Sequence, residues 1–348
     1  VLRDFLCLQR FNIAMFLTNF LPIRIFCSLA SPLSGKPIFI LVAIFLVALP
    51  ATAQFVMKST GSTILLRPAL KGAVMIDKPV KIKNYFEFID ELVAVHDTAL
   101  EFTLTEYLLV RSNPWLIDRL ADTDYYRQAA AGKIITDQRE MTVLQRGDTL
   151  HLPSTEEALA LEAMIANTYV DVNIPEFRLR IGVNEDTLFS FPVRLGQRTS
   201  KYLETSGRET DLRTQTGTGE IAFVQRDADW VNPVDGHQYK VTRRDDGRVT
   251  KCPRVPWLEP SVNGERVGQW IHPTTNPATL GKTYSNGCIG LAEASAWYVY
   301  YYAPIGTKVQ VRYDLEKKSP DGSVLQLPDV YGKNEGRIGA FKILMARD

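Results

Sequence analysis

The sequence predicts a mainly β domain over residues 166–313, an antiparallel sandwich or barrel with few helices, preceded by a smaller α+β domain over 81–155. Three observations predict it. Phe177, Leu179 and Ile181 alternate with Arg178 and Arg180, the period of a half-buried strand. Asn184-Glu185-Asp186 then makes a turn, and Leu188–Leu195 returns as the hairpin partner. From there to Tyr313, short apolar runs alternate with loops punctuated by Gly and Pro, and only Ala292–Tyr302 reads as a helix.

Taken in order, residues 1–53 read as a signal peptide or membrane-targeting segment. No acidic residue separates Asp4 from Asp77, and Arg3, Arg10, Arg24 and Lys36 precede the longest apolar run, Ile38–Leu49. That run is shorter than the ~20 residues a helix needs to span a bilayer, and Ala51-Thr52-Ala53 offers a small-residue cleavage site. The expectation is an exported protein of the periplasm or cell envelope, touching membrane only if this segment is retained. Residues 54–80 read as a linker. From Lys83, Phe86, Ile89, Leu92 and Val93 share one helical face. A second helical stretch, Leu104–Val110, ends at Asn113-Pro114, and Tyr125–Ala131 makes a third. Met141–Leu144 and Thr149–Leu152 read as strands about a Gly147-Asp148 turn. Glu156–Ala166 is a helix with Ser154 or Thr155 as N-cap. Tyr169, Val170, Val172 and Ile174 open the β domain. Residues 314–348 form a C-terminal extension with a turn at Asp321-Gly322 and an apolar stretch at Ile338–Leu344.

Composition limits the function. Lys plus Arg (40) nearly balances Asp plus Glu (39), without the basic excess that nucleic-acid binding normally shows, so no nucleic-acid partner is expected. Four cysteines are too few for a disulfide scaffold. Beyond the targeting segment only Cys252 and Cys288 remain, either joined or free. No His/Cys/Asp/Glu cluster has metal-ligand spacing, so neither metal nor cofactor is expected.

The chemistry concentrates in Gln269–Leu291, where His272 precedes Cys288 by a stretch rich in turn formers (Pro273, Asn276-Pro277, Gly281). A cysteine thiol, with an ordinary pKa near ~8.5, needs a base to attack a carbonyl at neutral pH, and a histidine supplies one. His272 is expected to end a strand, with its second ring nitrogen held by a backbone carbonyl. Ser285-Asn286-Gly287-Cys288 is a tight turn whose backbone N–H groups can hold an oxyanion, each donor contributing roughly 3 kcal/mol. The helix that follows, Ala292–Tyr302, is expected to place Cys288 near its N-terminus and so favour the thiolate. Pro233–Pro260 reads as a lid, and His237, Arg254, Trp257 and Tyr284 are the candidates for substrate contact. Cys252 reads as an unreactive thiol and Trp297–Tyr302 as core packing, while His96 and His151 lie outside the catalytic region.

These residues resemble the L,D-transpeptidases of the YkuD type. His272-Pro273-Thr274-Thr275-Asn276-Pro277 is similar to H-G-T-x-x-P, Leu280-Gly281-Lys282 to I-G-[KR], and Ser285-Asn286-Gly287-Cys288 to S-[HK]-G-C. Upstream, Phe191–Gly196 is similar to f-P-V-s-t-G and Thr216–Ile221 to T-P-x-G-x-[FY]. Asn286, Gly290 and Pro273 depart from the family, Gly290 standing where it carries an arginine. The resemblance implies peptidoglycan stem peptides as donor and acceptor, a Cys288 thioester, 3→3 cross-links and acylation by carbapenem inhibitors. Water as acceptor, giving an L,D-carboxypeptidase, and a non-catalytic wall-binding protein remain open. With Gly290 in place, Arg254 or Arg266 is the expected carboxylate contact. Leu108–Pro114 with Gln145–Pro153 is similar to the second half of a LysM module, which implies glycan binding; otherwise this region is an accessory domain without a ligand.

Overall fold

The computed structural model describes residues 72–319 and 321–333. The readings made for 1–53, for the first part of the linker and for Ile338–Leu344 lie outside these residues. The fold is mainly β. Its main sheet has nine strands. Eight form a continuous path: β1 (Thr168–Asn173), β2 (Arg178–Val183), β3 (Asp186–Pro192), β4 (Gly217–Gln225), β5 (Trp257–Val262), β6 (Ile271–Pro273), β7 (Ile289–Leu291) and β8 (Lys308–Arg312). In space the order is β7-β6-β5-β4-β8-β1-β2-β3, with Glu265–Arg266 hairpinned onto β5. All neighbours are antiparallel except β8 with β1 and β6 with β7. The second parallel pair positions the candidate site, because it sets His272 on one strand and Cys288 immediately before the start of its neighbour.

The β2 alternation holds as read: Leu179 and Ile181 are fully buried, and Arg178 and Arg180 are half-buried. Arg180 reaches Glu176 and Asp171, so the polar face of the hairpin is tied by ion pairs.

Among the described residues six α-helices accompany the sheet: α1 (Tyr85–Asp97), α2 (Glu106–Arg111), α3 (Pro114–Ala121), α4 (Tyr125–Ala130), α5 (Thr155–Ala166) and α6 (Glu293–Tyr302). Asn113-Pro114 ends α2 as expected. However, Pro114 also opens α3, since proline at the first helical position loses no intrahelical hydrogen bond. Ser154 caps α5 in a full capping box with Glu157. Part of the expected linker is strand: Ala73–Met75 pairs with Thr149–His151, and Val80–Lys81 with Thr142–Leu144.

One hydrophobic cluster runs from Val74 through the helices and sheet to Tyr331. Helix α6 is its centre, packing on α3, α2, β6 and β5, with Trp297, Tyr300 and Tyr301 essentially inaccessible. Burying a large apolar side chain contributes about 1.5–3 kcal/mol, so these three anchor the helix. The tyrosine hydroxyls need partners there, and the buried Glu106 carboxylate accepts from both Tyr300 (2.9 Å) and Tyr301 (2.9 Å). Leu108, Leu109, Val110 and Leu150, from the two LysM-like stretches, lie inside this core.

Candidate active site

The parallel β6–β7 pair sets His272 and the residue after Cys288 on adjoining strands. The register sets Ile271 opposite Ile289 and His272 opposite Gly290. Cys288 immediately precedes β7, and the Trp270 N–H donates to its Sγ at 3.4 Å. The helix expected at Ala292–Tyr302 is present as α6 from Glu293, but strand β7 separates it from Cys288, so it does not place the thiol at its N-terminus. Two apolar residues flanking Gly290 favour extension at this buried position, so the thiol has no helix dipole beside it.

The loop before Cys288 is braced on all sides. Ser285 Oγ donates to the Cys288 carbonyl (2.6 Å), and the Gly287 N–H points at Ser285 Oγ (3.3 Å). Gly287 has φ +111°, and a Cβ there would fall 2.7 Å from Gln269 Nε2, so the turn needs glycine on both counts. Gly196 permits the close approach from behind, where a Cβ would meet the Leu212 carbonyl and, at 2.9 Å, the Gly287 Cα. A relay ties the layers: the Gly196 N–H donates to Thr214 Oγ1 (2.9 Å), which donates to the Gly287 carbonyl (2.9 Å). Tyr331 completes it, its hydroxyl donating to the Gly196 carbonyl (2.9 Å) and accepting from the Thr214 N–H (3.1 Å). Sequence reading missed both Thr214 and Tyr331.

His272 is buried, and its Nδ1 lies 2.8 Å from the Pro273 carbonyl oxygen. Its ring lies against Trp257, centroids 4.5 Å apart, with Trp230 edge-on at 6.4 Å. Burial foremost, then the Arg194 charge, push the imidazole pKa down to about 3, against the Pro273 hydrogen bond. Burial pushes the Cys288 thiol up, opposed by the Trp270 N–H and Arg194. At neutral pH both groups are therefore uncharged.

The other sequence candidates scatter. Trp257 packs on the base itself. Arg254 is committed elsewhere, to the Lys83 carbonyl and, at 3.3 Å, to Asp227. Arg266 is held by Glu259 and lies over Phe223. Tyr284 is exposed, and His237 is exposed and packs edge-on against Tyr239, ring centroids 4.8 Å apart. Both cysteines are free thiols, and burial pushes Cys252 up to about 11. The expected lid region holds two short hairpins, Trp230–Val231 with Gln238–Tyr239 and Val241–Arg243 with Val249–Lys251. Among the described residues, no group of three His, Cys, Asp or Glu side chains is placed to hold a metal ion.

Fold and site together define a mainly β protein with a candidate cysteine–histidine centre. Residues 167–311 match the YkuD family, the L,D-transpeptidase catalytic domain, and the chain carries a domain of that family. The chain is 23% identical over 168 residues to the putative L,D-transpeptidase YkuD of Bacillus subtilis (strain 168), covering 48% of this chain and 77% of that protein. Among solved structures it is similar to an L,D-transpeptidase from Mycobacterium smegmatis (TM-score 0.29, 15% identity), covering 42% of this chain and 58%, under two thirds, of that one. It is also similar to an L,D-transpeptidase from Xylanimonas cellulosilytica (TM-score 0.31, 13% identity, 71% and 100% covered). A third is L,D-transpeptidase 3 from Mycobacterium tuberculosis in complex with a faropenem-derived adduct (TM-score 0.27, 16% identity, 42% and 60% covered).

Proposed function

We propose that the chain is a peptidoglycan L,D-transpeptidase working outside the cytoplasmic membrane, with Cys288 as nucleophile and His272 as base. The observation that carries the reading is the His272–Pro273 hydrogen bond. A carbonyl oxygen can only accept, so Nδ1 holds the ring proton and Nε2 keeps the lone pair a general base needs. In the first step the Cys288 sulfur bonds to the carbonyl carbon of the third stem residue while its proton passes to His272 Nε2. The developing oxyanion is held by N–H groups of the Asn286–Cys288 turn. The C–N bond to the terminal D-alanine breaks, and His272 returns the proton to the leaving amine. A second stem peptide's amine then attacks the thioester, His272 takes its proton, and the thiol is restored with a 3→3 cross-link. β-Lactams of the carbapenem class would acylate the same sulfur.

Mass spectrometry of a disaccharide-tetrapeptide incubated with the full chain, beside Cys288→Ala, tests this. A 3→3 dimer with loss of D-alanine, absent in the variant, is the expected result. Tripeptide monomer alone would move the assignment to an L,D-carboxypeptidase. Unchanged substrate without an adduct on Cys288 would favour a wall-binding protein.

A further inference from the structure

Arg194 and Gly290 form an isolated antiparallel bridge, each N–H donating to the other's carbonyl at 2.9 Å. The arginine side chain then lies across the bare face of Gly290. A Cβ at position 290 would fall 2.7 Å from Arg194 Nε and 2.8 Å from its Cγ. Any side chain at 290 would therefore displace Arg194, and the departure at Gly290 is what makes room for it. The titratable groups that interact electrostatically with the guanidinium are Cys288, Tyr284 and His272, none of them a carboxylate. Its Nε is buried without a hydrogen-bond partner, and among the described residues the side chain makes no ion pair. A largely buried cation without a counter-charge is costly to maintain, and the cost falls when an anion arrives. Arg254 and Arg266, the arginines expected for this task, are already paired.

We propose that Arg194 is the anion-binding residue of the donor site, its guanidinium receiving a free carboxylate of the acyl donor beside the carbonyl that Cys288 attacks. The assignment rests on the transpeptidase reading for the identity of the donor. A tetrapeptide donor carries two such carboxylates, the terminal one of the leaving D-alanine and the side-chain one of the diamino acid. Binding of either has a second effect. The Arg194 charge holds down the basicity of His272, and a bound carboxylate offsets that charge. The base then strengthens only when a donor is in place.

Calorimetric binding to the full chain carrying Cys288→Ala, with and without Arg194→Gln, tests the assignment apart from turnover. The ligands are the disaccharide-tetrapeptide and two analogues, one amidated at the terminal carboxyl and one at the diamino-acid side chain. Arg194→Gln is expected to weaken tetrapeptide binding about ten- to a hundredfold, the range of a charge-assisted hydrogen bond. One analogue should be weakened by the same factor and be indifferent to Arg194→Gln, which identifies the carboxylate. The exchange Arg194→Ser with Gly290→Arg should restore most of the loss, showing that the charge and not the fold was removed. Equal weakening of all three ligands, no weakening of any, or no tetrapeptide binding would overturn the proposal. Carboxylate-dependent binding through Arg194, joined to absence of product from the unsubstituted chain, would instead sink the transpeptidase reading and leave this assignment standing.

Discussion

The Nδ1 atom of His272 is hydrogen-bonded at 2.8 Å to the carbonyl of the residue that follows it, Pro273. The orienting group for the base is thus main chain. It survives the replacement of the usual glycine by proline, because proline lacks an N–H but keeps its carbonyl. The orientation of the ring is fixed by the strand itself, and Trp257 holds its face.

A depressed imidazole pKa makes stability depend on pH. The folded value is about 3 and an unfolded histidine titrates near ~6.5, so between them the unfolded state binds more protons. This contribution is fully present above about pH 6.5 and is lost as pH falls toward 3. Urea denaturation at pH 7, 5 and 4 should show a steeper loss for the native chain than for His272→Gln, the difference reaching on the order of 3 kcal/mol by pH 4. Parallel curves for the two proteins would mean that His272 takes up its proton in the fold without penalty.

The resting thiol should be a slow nucleophile toward reagents that do not recruit the base. With its pKa raised by burial, Cys288 is expected to react with iodoacetamide at a rate still climbing beyond pH 9, followed by mass mapping of the labelled peptide. Cys252, buried and pushed up to about 11, should label more slowly at every pH. A Cys288 rate that levels off near pH 7 would reveal a standing thiolate and overturn the neutral-pair account.

How far the sequence reached is set by the range of each cause. Cys288, His272 and the Gly287 turn were legible because their chemistry is carried by residue type and close spacing. The β2–β3 hairpin was legible from the period of Leu179 and Ile181 against Arg178 and Arg180 and from the turn at Asn184-Glu185-Asp186. Arg194 stood in plain sight inside the Phe191–Gly196 match, but its role depends on a bridge to Gly290 that only the folded sheet creates. Tyr331 gave no signal at all, since one tyrosine in a polar tail has no period to betray its burial against Thr214 and Gly196. The helix at Ala292–Tyr302 was legible, but its expected closeness to Cys288 was not met, because Ile289 and Leu291 extend next to β6, where tertiary pairing overrides any local preference.

Tyr331 gives a direct test of the bracing behind the nucleophile loop. Tyr331→Phe keeps the ring but strips a buried acceptor from the Thr214 N–H and a donor from the Gly196 carbonyl. Leaving such groups unpaired costs about 1–3 kcal/mol. Thermal unfolding should show a clear drop in Tm, and Cys288 labelling should quicken as the loop loosens. Unchanged stability together with unchanged labelling would remove Tyr331 from the support of the site.

The hairpin beside the site is anchored by a buried ion pair, and pH should reveal it. Arg244 meets Glu293 at the start of α6, both side chains almost inaccessible, while the guanidinium also lies over Tyr125 at 4.5 Å. Burial pushes the Glu293 carboxyl up to about 7 even with Arg244 beside it, and nearby Asp124 adds to the rise. Without the arginine, the carboxylate at pH 8 is a buried charge with no partner, which costs about 3–5 kcal/mol. At pH 5 Glu293 can take a proton and shed that charge, so Arg244→Ala should be less damaging there. Chemical denaturation of the native chain and the variant at both pH values measures the difference directly. A loss of the same size at pH 5 and pH 8 would assign the role of Arg244 to packing on Tyr125 rather than to its charge.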